Sequence, residues 1–142
     1  MPVAAFNRCL AVLFICLALV ACNNYGDKLS KEYLEVYYKD GITKDQAQKT
    51  LDLLYPAWKN QQGGETPKKS VQLTRTADTI NFRMVIDAKK MAGIGDEVIT
   101  QMANEFSTAL FGGQPVNVDL TDNKFKLIRK LPFRPMPKTA GQ

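Results

Sequence analysis

Two alternating apolar segments in the middle of the chain constrain the fold most. Residues 71–74 alternate between apolar and polar side chains, and residues 80–87 do the same after the polar stretch Thr76–Thr79. A period of two is typical of a strand with one buried face, and a short polar stretch between two such runs is typical of a hairpin. The sequence therefore predicts two antiparallel strands joined by a tight turn.

Two segments with helical periodicity lie on either side of this hairpin. The first begins at Thr43, with Gln46 in the position that completes a capping box. The second follows Asp96, a predicted cap, and ends at Gly112 and Gly113. The predicted buried positions of the first helix are Ala47, Leu51, Leu54, Tyr55 and Trp58. Those of the second helix are Val98, Ile99, Met102, Ala103, Phe106, Leu110 and Phe111.

Further strands are predicted at Leu34–Tyr38 and Val116–Leu120, and residues 125–131 form an edge strand or the return arm of a hairpin. A helix capped by Ser30 is an alternative for the first of these. The order strand, helix, strand, strand, helix, strand is that of the ferredoxin-like βαββαβ arrangement. We therefore predict an α+β two-layer sandwich over residues 33–131, with two helices on one face of an antiparallel sheet.

The amino-terminal segment has the features of an export signal. An apolar run of about 13 residues follows Arg8, which is short of the roughly 20 residues that span a bilayer. The run ends in Leu19-Val20-Ala21-Cys22, which resembles the lipobox of bacterial lipoproteins. The resemblance implies that residues 1–21 are removed and that Cys22 carries diacylglycerol and an N-acyl chain. Ordinary secretion with a fortuitous cysteine, or an uncleaved tether, are the alternatives.

The resemblance also implies a location. In bacterial lipoproteins, a residue other than Asp after the acylated cysteine usually directs the protein to the outer membrane, and Asn23 fits this rule. The protein is therefore expected in the cell envelope, lipid-anchored and facing the periplasm. We predict that residues 22–32 form a polar tether and that residues 132–142, which contain three prolines, are disordered.

Composition removes several classes of function. Histidine is absent, so the commonest general base and the commonest zinc ligand are both missing. The three cysteines lie at or before Cys22, which leaves no thiol or disulfide for the predicted domain. A net charge of +5 is mild and does not indicate nucleic-acid binding. We predict no catalytic residue, no metal and no cofactor apart from the lipid on Cys22.

The predicted fold leaves one face of the sheet open as a docking surface. Tyr37 and Arg83 belong to residue types that are enriched at binding hot spots. The alternative is a solvated face on which Arg83 pairs with Glu35 or Asp119. The residues expected on this face are Glu35, Tyr37, Gln72, Thr74, Asn81, Arg83, Val85, Asn117 and Asp119.

Charge is distributed unevenly at the carboxyl end, where no acidic residue follows Asp122. Such a basic segment could rest on anionic headgroups or on an acidic patch of a partner. The alternative is an edge strand protected by lysines against aggregation. The basic residues of the segment are Lys124, Lys126, Arg129, Lys130, Arg134 and Lys138.

These features predict a lipid-anchored envelope protein whose domain binds and does not catalyse. Its expected partners, besides the membrane, are an envelope protein or an anionic surface polymer. Its predicted contact residues are Tyr37, Arg83, Lys124, Lys126, Arg129 and Lys130.

Two other functions remain open. One is an immunity or inhibitor lipoprotein that blocks a toxin enzyme. The other is a small carbohydrate-active enzyme that uses paired carboxylates. The candidate carboxylate pairs are Asp27 with Glu32, Asp96 with Glu97, and Asp119 with Asp122. Segments such as Ile42–Ala47 and Phe82–Val85 are similar to a recurring bacterial domain, and this resemblance implies no function.

Overall fold

Two helices lie on one face of a six-stranded sheet in the computed structural model, which describes residues 24–59, 67–87, 89 and 93–137. The predicted signal segment, Cys22 and residues 138–142 lie outside the described residues. The elements are β1 (Asp27–Lys31), β2 (Leu34–Tyr38), α1 (Lys44–Lys59), β3 (Lys69–Thr76), β4 (Thr79–Val85), α2 (Asp96–Phe111), β5 (Val116–Thr121) and β6 (Leu127–Leu131).

The strands lie side by side in the order in which they occur along the chain. The pairs β1–β2, β3–β4 and β5–β6 are antiparallel. The pairs β2–β3 and β4–β5 are parallel, and each is connected through a helix. The predicted α+β class with both helices on one face is confirmed. The ferredoxin-like topology is not confirmed, because the sheet is mixed and has six strands.

One hydrophobic cluster joins the helices to the sheet. It contains Leu51 from α1 and Phe106 from α2 together with residues of β2, β3, β4 and β5. Phe82 is fully buried at its centre, with its ring 4.7 Å from that of Phe106. The predicted alternation in β3 and β4 is confirmed, since Val71, Leu73, Ile80 and Phe82 are all fully buried. Because alternate side chains point to opposite faces, the polar residues between them lie on the second sheet face, away from the helices.

Of the three predicted helix ends, two are confirmed and one is wrong. At the start of α1, the backbone amide of Gln46 donates to Thr43 Oγ1 at 3.2 Å, and the backbone amide of Thr43 donates to Gln46 Oε1 at 3.0 Å. The predicted capping box is therefore confirmed. Gly112 ends α2 in the left-handed conformation, with φ 61°. The predicted cap at Asp96 is wrong, because Gly95 is the cap residue and Asp96 lies in the first turn.

The folded region extends beyond the predicted domain at both ends. Strand β1 lies within the predicted tether and pairs with β2, although Leu29 is its only apolar residue. This single apolar position gives no alternation for sequence analysis to detect. Residues 132–137 have neither helix nor strand, yet the Phe133 amide donates to Asn117 Oδ1 at 3.0 Å. Asn104 of α2 also bonds to the Arg134 carbonyl at 2.8 Å.

Within the described part of the chain, neither helix is long and apolar enough to cross a membrane.

Candidate functional site

The second sheet face is largely buried, so the predicted open docking surface is wrong. Glu35 is 6%, Gln72 1% and Asp119 5% exposed, although all three lie on this face. Tyr37 and Arg83, the predicted contact residues, are only partly exposed. Two segments of chain fold across the face and cover it, one before β1 and the other between β5 and β6. Alternation of apolar and polar residues in the sequence could not predict the position of either segment.

Three aromatic rings, which we call the aromatic plug, form this cover. The Phe125 ring lies 5.3 Å from that of Tyr25 and 5.5 Å from that of Tyr37, and the Tyr25 and Tyr37 rings are 5.9 Å apart. All three contacts are edge-to-face, the arrangement that aromatic quadrupoles favour. Phe125 is 5% exposed. The plug therefore joins the amino-terminal segment, β2 and the β5–β6 loop.

Asp122 holds the β5–β6 loop in the shape that directs Phe125 inward. Its Oδ1 accepts hydrogen bonds from the backbone amides of Lys124 at 2.9 Å and Lys126 at 2.8 Å. These two bonds are the main reason that the pKa of Asp122 is lowered. Phe125 has a φ of 55°, a left-handed conformation that is unusual for an aromatic residue. The flanking Lys124 and Lys126 side chains are exposed.

Glu35 is a buried carboxylate with four side-chain donors. Oε1 accepts from Lys68 Nζ at 2.9 Å and Lys28 Nζ at 3.1 Å. Oε2 accepts from Tyr37 Oη at 3.1 Å and Ser70 Oγ at 3.2 Å. Burial alone would raise the pKa, but the hydrogen bonds from Lys68, Lys28 and Tyr37 outweigh it and lower the pKa of Glu35 to about 2. Glu35 therefore stays ionised and is unsuited to act as a general acid.

Arg83 and Asp119 form a second charged group on the same face. Arg83 Nε lies 3.6 Å from Asp119 Oδ2, and Lys130 Nζ lies 4.0 Å from Oδ1. Of the two partners considered for Arg83, the structure brings it to Asp119 and not to Glu35. Burial raises the pKa of Asp119, and the charges of Lys130 and Arg83 oppose this rise. Arg83 also donates to Gln72 Oε1 at 3.0 Å, so its guanidinium is engaged within the domain.

The predicted basic segment does not form one surface. Lys124 and Lys126 lie on the β5–β6 loop, whereas Arg129 reaches the helix layer and binds both carboxylate oxygens of Asp96 at 2.7 and 2.9 Å. Lys130 lies beside Asp119 on the second sheet face. The basic residues are thus divided among three surroundings.

Three of the six carboxylates in the pairs predicted for an enzyme have partners within the domain. Asp96 binds Arg129, and Asp122 accepts backbone amides of its own loop. Asp119 is buried beside two cations. Among the described residues, no group of three or more acidic, histidine or cysteine side chains is placed to hold a metal.

A cavity of about 650 Å³ is the candidate site that sequence analysis missed. It lies between the carboxyl end of α1, the start of α2 and the adjoining ends of β3 and β4. Its apolar lining includes Trp58, Met84, Ile86, Val98, Ile99 and Met102, and Lys68, Lys69, Ser70 and Asp87 supply polar groups.

The mouth of this cavity exposes apolar side chains. Val98 is 61% and Ile94 41% exposed, although the helical pattern predicts Val98 to be buried. Trp58 is partly buried in the wall, where Lys69 Nζ lies 5.0 Å from the centre of its ring. The one signal in the sequence was an apolar stripe on α2 that includes the exposed Val98 as well as the buried Ile99. The start of α2 forms one side of the cavity.

A comparison with protein families assigns the chain to a family. The AF_1994_N family model, described as a family N-terminal domain, matches residues 28–131. The chain belongs to this family. The AF_1994_N match runs from the second residue of β1 to the last residue of β6, so it covers both helices and the whole sheet. No curated protein and no solved structure matches the chain.

Proposed function

We propose that this AF_1994_N protein is a lipid-anchored binding protein of the bacterial cell envelope. In this proposal Cys22 carries the lipid, and the domain faces the periplasm from the outer membrane. The domain binds an apolar group of an envelope protein in the cavity between α1 and α2, and it does not catalyse a reaction. The lipobox pattern supports the anchor, and the cavity supports the binding role.

The observation that carries the binding role is the apolar cavity. Its volume of about 650 Å³ lies within the roughly 300–1,000 Å³ of ligand sites. Met84 and Met102 supply flexible, polarisable walls, which suit irregular apolar surfaces, and Trp58 supplies a rigid one. Asp87 supplies a charged group that can fix the orientation of a bound group.

The second sheet face supports a binding role less well than the cavity does. The aromatic plug covers it, and the charges of Glu35 and Asp119 have partners within the domain. A partner on this face would have to displace rings and break ion pairs before it gained any contact. The proposed contact surface therefore differs from the one that the sequence predicts.

A charge at the cavity mouth is expected to weaken binding. The test uses the chain from residue 23 onward, which retains every described element, and titrates it with the uncharged apolar probe N-phenyl-1-naphthylamine. Trp58 is the only tryptophan, so its fluorescence reports the cavity. Val98→Asp is expected to weaken probe binding at least about tenfold, because binding would bury an unpaired carboxylate.

Leu53→Asp is the matched control, since Leu53 is 40% exposed on α1 and does not line the cavity. Circular dichroism establishes that both variants are folded. Equal probe binding by the Val98→Asp and unaltered proteins, or equal loss in both variants, would contradict the proposal.

Acylation is expected at Cys22 and at neither earlier cysteine. Cells that express the full chain are supplied with labelled palmitate, and the label on the protein is measured. Cys22→Ser is expected to abolish the label, whereas Cys16→Ser, in the segment predicted to be removed, retains it. Label that persists in Cys22→Ser, or is absent from the unaltered protein, would refute the anchor.

A further inference from the structure

We infer that the β5–β6 loop is a membrane-facing surface, on which Lys124 and Lys126 contact anionic phospholipid headgroups and set the orientation of the domain. The inference rests on the anchor at Cys22 in the proposed function. It adds which side of the domain faces the bilayer.

Hydrogen bonds hold the chain in the fold as far back as Asn24, two residues after the proposed anchor at Cys22. The Asn24 carbonyl accepts from Lys39 Nζ at 3.2 Å, and Asn24 Oδ1 accepts from the Gly26 amide at 3.0 Å. The Tyr25 carbonyl accepts from Gln72 Nε2 at 2.9 Å. Two residues of extended chain reach about 7 Å, so the sulfur of Cys22 cannot lie far from this point. The predicted tether is therefore largely used up by folded structure.

The aromatic plug brings the β5–β6 loop close to this amino-terminal segment. The Tyr25 ring contacts that of Phe125, with 5.3 Å between centres. Phe125 is directed inward, and the exposed side chains of Lys124 and Lys126 stand on the outer side of the loop. A bilayer that holds the lipid of Cys22 would thus lie beside both lysines.

The exposed side chains of the β5–β6 loop include two lysines, Lys124 and Lys126. The carboxylate of Asp122 is turned toward the amides of Lys124 and Lys126, so the loop presents two ammonium groups outward. Asp27 and Asp40 are also exposed, and their negative charges oppose the attraction outside the loop. A lysine near an anionic leaflet gives roughly a fivefold preference for the bound state. The anchor supplies the high local concentration that makes this preference effective.

The test purifies the processed protein from cells that express the full chain and places it in phosphatidylcholine vesicles with or without phosphatidylglycerol. A membrane-impermeant acetylating reagent modifies exposed amines, and mass spectrometry measures each lysine. Lys124 and Lys126 are expected to react about fivefold more slowly with phosphatidylglycerol present, and high salt should remove the difference. Lys49, exposed on α1 in the helix layer, should react equally in both vesicles.

Variants that remove the charge of one lysine test the inference further. Lys126→Gln is expected to reduce the protection of Lys124, whereas Lys49→Gln should leave it unchanged. Equal acetylation of Lys124 in both vesicles, or equal protection of Lys49, would overturn the inference. The mass of the amino-terminal peptide in the same digest separates the two proposals. A chain without lipid refutes the anchor, and a lipidated chain with an unprotected loop refutes the orientation alone.

Discussion

Replacing Phe125 with alanine is expected to lower the free energy of unfolding by about 3 kcal/mol or more. Phe125 is 5% exposed and contacts Tyr25 and Tyr37, so the change removes a large buried ring and two aromatic contacts. The cover of the second sheet face is lost at the same time. Urea unfolding, followed by the fluorescence of Trp58 and by circular dichroism, measures the effect.

Phe125→Leu is the control for this change. Leucine keeps most of the apolar volume but not the ring, so a loss near 1 kcal/mol is expected. A Phe125→Ala protein that unfolds within about 1 kcal/mol of the unaltered one would show that the aromatic plug contributes little to stability. It would also weaken the argument that the plug fixes the β5–β6 loop beside the amino terminus.

Replacing Glu35 with glutamine is expected to lower the free energy of unfolding by about 2–3 kcal/mol at neutral pH. The pKa of Glu35 is lowered from 4.5 to about 2, so the folded state favours the ionised carboxylate. Glutamine cannot carry that charge, and its amide donors would face Lys28 and Lys68. The four hydrogen bonds that Glu35 accepts would be weakened or lost.

The effect has a defined pH dependence. Because the folded pKa lies below the unfolded one, the contribution of Glu35 is complete above pH 4.5 and is lost as the pH falls toward 2. Urea unfolding between these values should therefore show the two proteins converging. Glu105→Gln, an exposed position on α2, should change stability by only a few tenths of a kcal/mol. A gap between Glu35→Gln and the unaltered protein that does not depend on pH would contradict the account.

Local features of the fold could be predicted from the sequence. The β3–β4 hairpin, the Thr43 capping box and the glycine end of α2 each depend on neighbouring residues, and each is confirmed. Alternation also identified which side chains of β3 and β4 enter the core. It could not identify strand partners, because the same pattern serves parallel and antiparallel neighbours.

The candidate sites depended on contacts between distant parts of the chain. Phe125 was expected in a strand or hairpin arm, yet it lies before β6 and covers Tyr37 of β2. The polar residues of the second sheet face were expected in solvent for the same reason, since nothing near them in sequence reveals a cover. The cavity is formed by four elements that meet only in the folded chain.

The sequential strand order bears on how the sheet can be built as the chain folds. Each strand from β2 to β6 adds to the outer side of the strand made just before it. Among the described strands, no later one has to be inserted between two that are already hydrogen-bonded. A chain that becomes available from its amino end onward can therefore assemble this sheet progressively, without first undoing any pairing.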